Sequence, residues 1–348
     1  VTSSDALGKD DPLVGPATLG PAGVSVMSRR GLLRGGARSA TAMAVATLTA
    51  AGCSSSPGPM RRLRLATGPD GGPYNAFGRA LAKAVAASGR RLDVVPVATA
   101  ASADNLRQLS EGDVELAMTM ADAAQDAVRG REPFSAPVAM TALARVYVNY
   151  THLVVPAHGP VRSVSELAGR RVATGATGSG LRAVAERVLY AAGLSGDRAV
   201  RELRLGLAES ARALRNGDVD ALMWSGGVPT PTLTALAKTL PLRLLPLDGQ
   251  VSALRTAYGP VYSAVTLPPG VYGLREPVRT VGVSNYLAAR GDVSEPAARE
   301  LLEVVFGRWR ELLREVTAGA RLEPRFAVAT GAVPLHPGAA DYYRSVYG

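Results

Sequence analysis

Cysteine is nearly missing from this chain: its 348 residues contain one, Cys53. That excludes an intrachain disulfide and any cysteine-based metal cluster. Histidine is almost as scarce. His152, His158 and His336 show no metal-ligand spacing among themselves or with the cysteine. Lysine occurs only at Lys9, Lys83 and Lys238, so arginine supplies 36 of the 39 basic residues. The net charge is +10, but the arginines are scattered among acids rather than gathered into a run, which argues against a nucleic-acid footprint. A weak attraction to an anionic membrane surface fits the surplus better. Aromatic residues are only 5% of the chain, and no stretch approaches the roughly 20 apolar residues that a membrane-spanning helix needs. Small and aliphatic residues are plentiful instead: 47% of the chain is hydrophobic and 38 residues are glycine. Setting aside the first 52 leaves about 296 residues, enough for one large or two modest domains with real cores.

The N-terminal region reads as an address. Ser28-Arg29-Arg30-Gly31-Leu32-Leu33-Arg34 resembles a twin-arginine export motif, and a short Ala/Thr-rich apolar stretch follows at 40–48. Ala50-Ala51-Gly52-Cys53 then places small residues before a cysteine, the order of a lipoprotein processing site, although position 50 is Ala where such sites usually carry Leu. Export and lipidation of Cys53 are expected, with residues 1–52 as the targeting segment. Met27 lies just before the motif, so residues 1–26 are read as upstream of the translated start. Residues 53–61, with Ser54-Ser55-Ser56-Pro57-Gly58-Pro59, form a polar tether too poor in apolar groups to fold.

From Leu63 onward, short apolar runs alternate with helical patterns, the signature of an α/β protein. Strands are predicted at 63–66, 92–97 and 114–118, with helices at 76–88 and 103–109 between them. Phe77, Leu81, Ala84 and Val85 share one helical face. The same order recurs with strands at 171–173, 203–205 and 219–223. Ala66-Thr67-Gly68-x-x-Gly71 matches Ala173-Thr174-Gly175-x-x-Gly178 at an offset of 107, and Gly112-Asp113-Val114-Glu115 matches Gly217-Asp218-Val219-Asp220 at an offset of 105. Two motifs repeating in one order at nearly one spacing predict two lobes of similar topology.

The glycine-rich turns at Gly71-Gly72 and Gly178-Ser179-Gly180 each open a helix, where unpaired N–H groups attract carboxylates or phosphates. Spacing alone leaves open whether they bind a ligand or are ordinary α/β turns. The second is not a nucleotide P-loop, because no lysine follows. No G-x-S-x-G elbow and no nucleophile-and-base set is visible, so a binder is expected rather than an enzyme, with no cofactor and no metal.

Taken together, the motifs resemble one family across roughly residues 62–344. These motifs are Ala66 to Tyr74, Thr99-x-x-Ser102-x-x-Asn105-Leu106, Glu111 to Glu115, His152 to Val155 and Ser165 to Val172. They continue with Gly175-x-x-Gly178-Ser179-Gly180, Gly227-Val228-Pro229-Thr230 and the ending Val333-Pro334-Leu335-His336-Pro337-Gly338-Ala339. The chain is similar to TAXI-family solute receptors, the extracytoplasmic binding proteins of TRAP transporters. The resemblance implies an α/β, two-lobed periplasmic-binding-protein-like type II fold, each lobe a mixed sheet flanked by helices, with a cleft between the lobes. Lobe I would comprise residues 62–150 plus 281–348 and lobe II residues 151–280, the chain crossing near Tyr150 and returning near Val281–Leu287. It implies capture of a small organic anion, such as glutamate, glutamine or 2-oxoglutarate, by a monomer held at the outer face of the cytoplasmic membrane by its lipid. Delivery to a TRAP-type permease would follow; signalling to a membrane partner is the alternative.

On that resemblance, Gly71, Gly72, Tyr74, Ser102 and Asn105 are expected to contact ligand from the first lobe. Thr177, Gly178, Ser179 and Gly180 are expected to do so from the second, with Trp224 as either a pocket wall or a core residue. Arg145 or Arg182 would meet a second carboxylate. Ala121-Asp122-Ala123-Ala124 departs from the family by offering little to tune a pocket.

Overall fold

The computed structural model describes residues 60–317, 320 and 322–348. The twin-arginine motif, Cys53 and the segment up to Pro59 therefore lie outside the described residues. The first repeat begins with strand β1 (Arg61–Ala66), helix α1 (Pro73–Ala86), β2 (Leu92–Val97), α2 (Ser102–Glu111), β3 (Leu116–Met120) and α3 (Ala121–Val128). Helix α1 buries Phe77, Leu81, Ala84 and Val85 as their spacing predicts, but it starts three residues earlier, because Pro73 is preset for a first helical position. Strand β3 starts later than its apolar run. Gly112 takes a left-handed conformation (φ 86°) to cap α2, and the chain turns through Asp113 before entering the ladder.

The second copy follows as β5 (Arg171–Ala173), α4 (Gly180–Ala191), β6 (Arg201–Leu203), α5 (Leu207–Asn216) and β7 (Ala221–Gly226). Here Gly217 (φ 79°) performs the same capping turn. Strand β6 sits two residues before its predicted place, pairing Ala173 with Leu203. In each copy the central strand lies between parallel neighbours: β2-β1-β3 in the first, β6-β5-β7 in the second.

Two long strands join the copies. Strand β4 (Met140–Pro156) and strand β10 (Val278–Arg290) run antiparallel, giving one sheet ordered β2-β1-β3-β10-β4-β7-β5-β6. The first part of β4 pairs with β10, and from Tyr150 onward it pairs with β7. Strand β10 pairs with β9 (Tyr262–Leu267) over its first residues and with β3 from Asn285. Tyr150 and Gly282 are register partners at the point where both strands pass from one half of the sheet to the other. The short strand β8 (Leu242–Leu244) closes on the end of β4, with helices α6 (Pro231–Ala237) and α7 (Val251–Tyr258) packed around that half.

The C-terminal helices return to the first half. Helix α8 (Glu295–Gly307) packs against α11 (Pro337–Tyr347), with Phe306 stacked on Tyr342 at a 5.3 Å centroid distance, and the short helices α9 (Trp309–Leu313) and α10 (Pro324–Ala327) lie between them in sequence. The segment from Val333 to Ala339 is a joint. Ala142 on β4 donates to Pro334 O and accepts from the His336 N–H. The His336 ring donates from Nε2 to Val293 O at 2.8 Å and accepts the Gly338 N–H on Nδ1 at 3.1 Å, which caps α11. A side chain on Gly338 would collide with the Glu295 backbone, its Cβ 2.8 Å from Cα.

Candidate functional site

The strand-to-helix turns of the two copies meet, and Gly180 makes the contact. A Cβ there would run into Met120 and lie 2.6 Å from Ser102 Oγ, so only glycine lets the start of α4 seat against α2 and β3. Two cavities flank this contact. One, of about 580 Å³, is walled by the Gly68–Tyr74 turn, Ser102, Met120 and Asn149 on one side, and by Gly175–Leu181, the start of α5, Trp224, Ser225 and the Gly227–Thr232 turn on the other. The second, of about 720 Å³, lies between α2, α3 and α4.

Gly71, Gly72, Tyr74, Ser102, Ser179, Gly180 and Trp224 all border the first cavity. Tyr74 presents its ring there while its hydroxyl donates to Asn285 Oδ1 at 2.5 Å, and burial pushes the phenol well above its usual range. Ser102 accepts the Met120 N–H at 3.1 Å. Ser179 donates to Ala176 O at 2.7 Å, so its hydroxyl shapes the turn. Trp224 is half-buried, its indole N–H held by Thr230 Oγ1 at 3.0 Å, which makes it a fixed wall. Tyr74 and Asn75 in the first turn of α1, whose first residue Pro73 has no N–H, and Gly180 and Leu181 in α4 carry N–H groups without intrahelical partners, and both helix starts open here.

Asn105, Thr177 and Gly178 do not line this cavity. The Asn105 carboxamide is fully buried and committed to Met118 O at 2.7 Å, Thr67 O and the Thr99 hydroxyl, fastening α2 to the ends of β1 and β3. Thr177 and Gly178 face the second cavity because the turn passes over the glycine contact. Arg182 also borders the second cavity, and Arg145 borders neither.

Residues that the sequence did not put forward as ligand contacts also shape the site. Asn149 on β4 borders the cavity and is 3% exposed. His152, buried beside it on β4, donates from Nδ1 to Tyr150 O at 2.8 Å and accepts on Nε2 from the Tyr272 hydroxyl at 3.3 Å. Tyr272 in turn accepts the Thr230 N–H at 2.6 Å, linking the crossing strand to the Trp224 wall. Burial lowers the His152 pKa to about 4, so the ring is neutral.

The stretch at Ala121–Ala124, bland in sequence, hides a charged centre. Asp122 and Asp126 on α3 both pair with Arg187 on α4, and Tyr262 donates to Asp122 at 2.8 Å. The Arg187 guanidinium also lies 4.3 Å from the Tyr258 ring centroid. Burial pushes the Asp122 carboxyl up, with Arg187 and Tyr262 partly offsetting it. Burial opposes charge on Arg187, but Tyr262 and Asp122 hold the guanidinium firmly protonated.

The NMT1-like family profile matches residues 65–346. The chain belongs to the NMT1-like family. Solved structures similar to this NMT1-like chain include the periplasmic aliphatic sulphonate binding protein SsuA of Escherichia coli, at 18% identity over 82% of this chain and 83% of that one, TM-score 0.44. The alkanesulfonate-binding protein SsuA of Xanthomonas axonopodis pv. citri, bound to MOPS, shows 17% identity over 74% and 78%, TM-score 0.46. A Streptococcus mutans chain from glutathione import via GshT and a cystine ABC importer shows 13% identity over 74% and 94%, TM-score 0.47.

Proposed function

We propose that this NMT1-like protein is a receptor that captures a small organic anion, such as glutamate, glutamine or 2-oxoglutarate, and delivers it to a TRAP-type secondary permease. The carrying observation is the cavity of about 580 Å³ bordered by the starts of both α1 and α4. Two helix N-termini supply aligned N–H groups and favourable dipoles for a carboxylate. Gly71, Gly72, Tyr74, Ser102, Ser179, Gly180 and Trp224 are the proposed contacts. The lobes are residues 62–150 plus 281–348 and residues 151–280, moving about the Tyr150–Gly282 crossing. A lipid on Cys53 and the tether that follows would keep the receptor beside its permease.

Saturable binding should raise the melting temperature of the full chain when glutamate, glutamine and dicarboxylates are tested singly. Flat melting curves and flat calorimetric titrations across that panel would remove this ligand class. For the anchor, Cys53→Ser should move the protein from the membrane fraction to the soluble one; unchanged membrane retention would count against it.

A further inference from the structure

Among the described residues, six buried side-chain polar atoms have no hydrogen-bond partner, and three of them lie in a row on β4: Tyr147 Oη, Asn149 Oδ1 and Thr151 Oγ1. Alternation along a strand puts these three side chains on one face. Buried polar atoms are nearly always paired, so three consecutive exceptions on one face point to a ligand or water in contact with them. Only the middle of the row reaches the first cavity. Asn149 borders it directly, and Thr151 is the register partner of Ser225, which also borders it. Tyr147 is the register partner of Asn285, the residue that anchors the Tyr74 hydroxyl.

The distribution of charge around this row is one-sided. The charged residues lining the cavity are Asp70, Glu209, Arg212 and Glu315, all exposed at its mouth. Three are acidic, and among the described residues no buried cation lines the floor. A second carboxylate pushed toward β4 would leave water without a cation to receive it, and it would pass acidic groups on the way. A nitrogen-borne donor meets the opposite situation at Asn149, whose unpaired carbonyl can accept from it and needs no cation.

We propose that Asn149 is a specificity-determining residue that reads an ammonium or amide on the inner end of the solute, whose carboxylate lies at the starts of α1 and α4. The inference rests on the solute-receptor reading and narrows it: nitrogen-bearing solutes are selected over otherwise similar acids that lack nitrogen. Isothermal titration of the full chain with L-glutamine, L-glutamate and 2-oxoglutarate tests it, in the wild type and in Asn149→Leu and Asn149→Asp.

The wild type should bind L-glutamine at least about ten-fold more tightly than 2-oxoglutarate, the span of one hydrogen bond involving a charged or fully buried partner. Asn149→Leu should shrink that ratio to about two-fold or less, and Asn149→Asp should keep glutamine binding while weakening 2-oxoglutarate further. The ratio is a readout that a purely structural role would leave in place, and Asn149→Asp supplies it if the leucine variant fails to fold. Equal or tighter binding of 2-oxoglutarate by the wild type, or an unchanged ratio in both variants, overturns the role of Asn149 while the receptor reading stands. Binding of none of the three by the wild type overturns both.

Discussion

The two repeat copies share a framework and differ at their tips. In the first, the Arg64 backbone N–H donates to Glu115 at 2.7 Å while its guanidinium reaches Glu115 at 2.7 Å and Gly112 O at 3.0 Å. In the second, Arg171 makes the same set: backbone to Asp220 at 2.9 Å, guanidinium to Asp220 at 3.2 Å and to Gly217 O at 2.9 Å. Each clamp ties a central strand to the entrance of its neighbour, next to the left-handed glycine that ends a helix. At the other end of those strands the copies part. Gly72-Pro73-Tyr74 starts α1, whereas Ser179-Gly180-Leu181 starts α4. Proline gives the first helix a stiff start under the Tyr74 ring, and glycine lets the second helix dock against the first copy. The lesson is that the ends of the strands remote from the cavity can repeat because nothing but the fold acts on them. The ends that face each other cannot be alike, because one must fit against the other.

The largest asymmetry is Arg187. At the offset of 107 its counterpart on α1 is Ala80, so the first copy has no matching charge at this place. Its partners Asp122 and Asp126 have side chains 0% and 3% exposed. Arg187→Met leaves two buried carboxylates without a cation, and chemical denaturation should show a loss of about 3–5 kcal/mol. Ala80→Met in the matching place should cost less than a third of that; equal losses would show that the charge centre does not tie the halves together.

A smaller difference involves pH. His152 has its folded pKa lowered to about 4 from 6.5. The unfolded chain therefore binds a proton first as pH falls. The stability linked to neutral His152 is complete above pH 6.5 and is lost progressively down to about pH 4, about 3 kcal/mol in all. In His152→Gln the slope of stability against pH between 6.5 and 4.5 should flatten relative to wild type. An unchanged slope would place the titration elsewhere.

Much of the framework was legible in sequence because it depends on local chemistry. The face of Phe77 and Leu81 follows from helical period, and Gly112 and Gly217 announce left-handed caps that only glycine adopts easily. The repeat offset led to both central strands. Half of the cavity was visible as well, since Tyr74, Ser179 and Gly180 sit on glycine-rich turns. What stayed hidden depends on partners distant in the chain. His152 is completed by Tyr272, 120 residues away, and Arg187 by Asp126, 61 residues away. Asn149 carries no local signal at all, because a strand residue shows its role only when the opposite wall is known. Asn105 misled for the converse reason: a polar residue near a helix start looks like a ligand contact until the strand ends it binds are in place.

The clamps offer the finest comparison, since both arginines make the same bonds. Glu115 has a second cation, Arg290 Nη2 at 3.5 Å, which Asp220 lacks among its salt bridges, and its side chain is 16% exposed against 22%. Burial raises each carboxyl, but the arginine hydrogen bonds outweigh it and leave both lowered. The sign of the linkage follows: their contribution is complete above the unfolded carboxyl range and is lost as pH drops below about 4. Glu115→Gln should lower the melting temperature at pH 7 by about 4 °C and Asp220→Asn by about 2 °C, and the gap between variants and wild type should narrow as pH falls below the unfolded carboxyl range. Larger damage from Asp220→Asn would mean that the second half, with its short strands β5 and β6, relies on its clamp more than the first. The repeat would then be alike in geometry and unequal in energy, the opposite order to the one burial predicts.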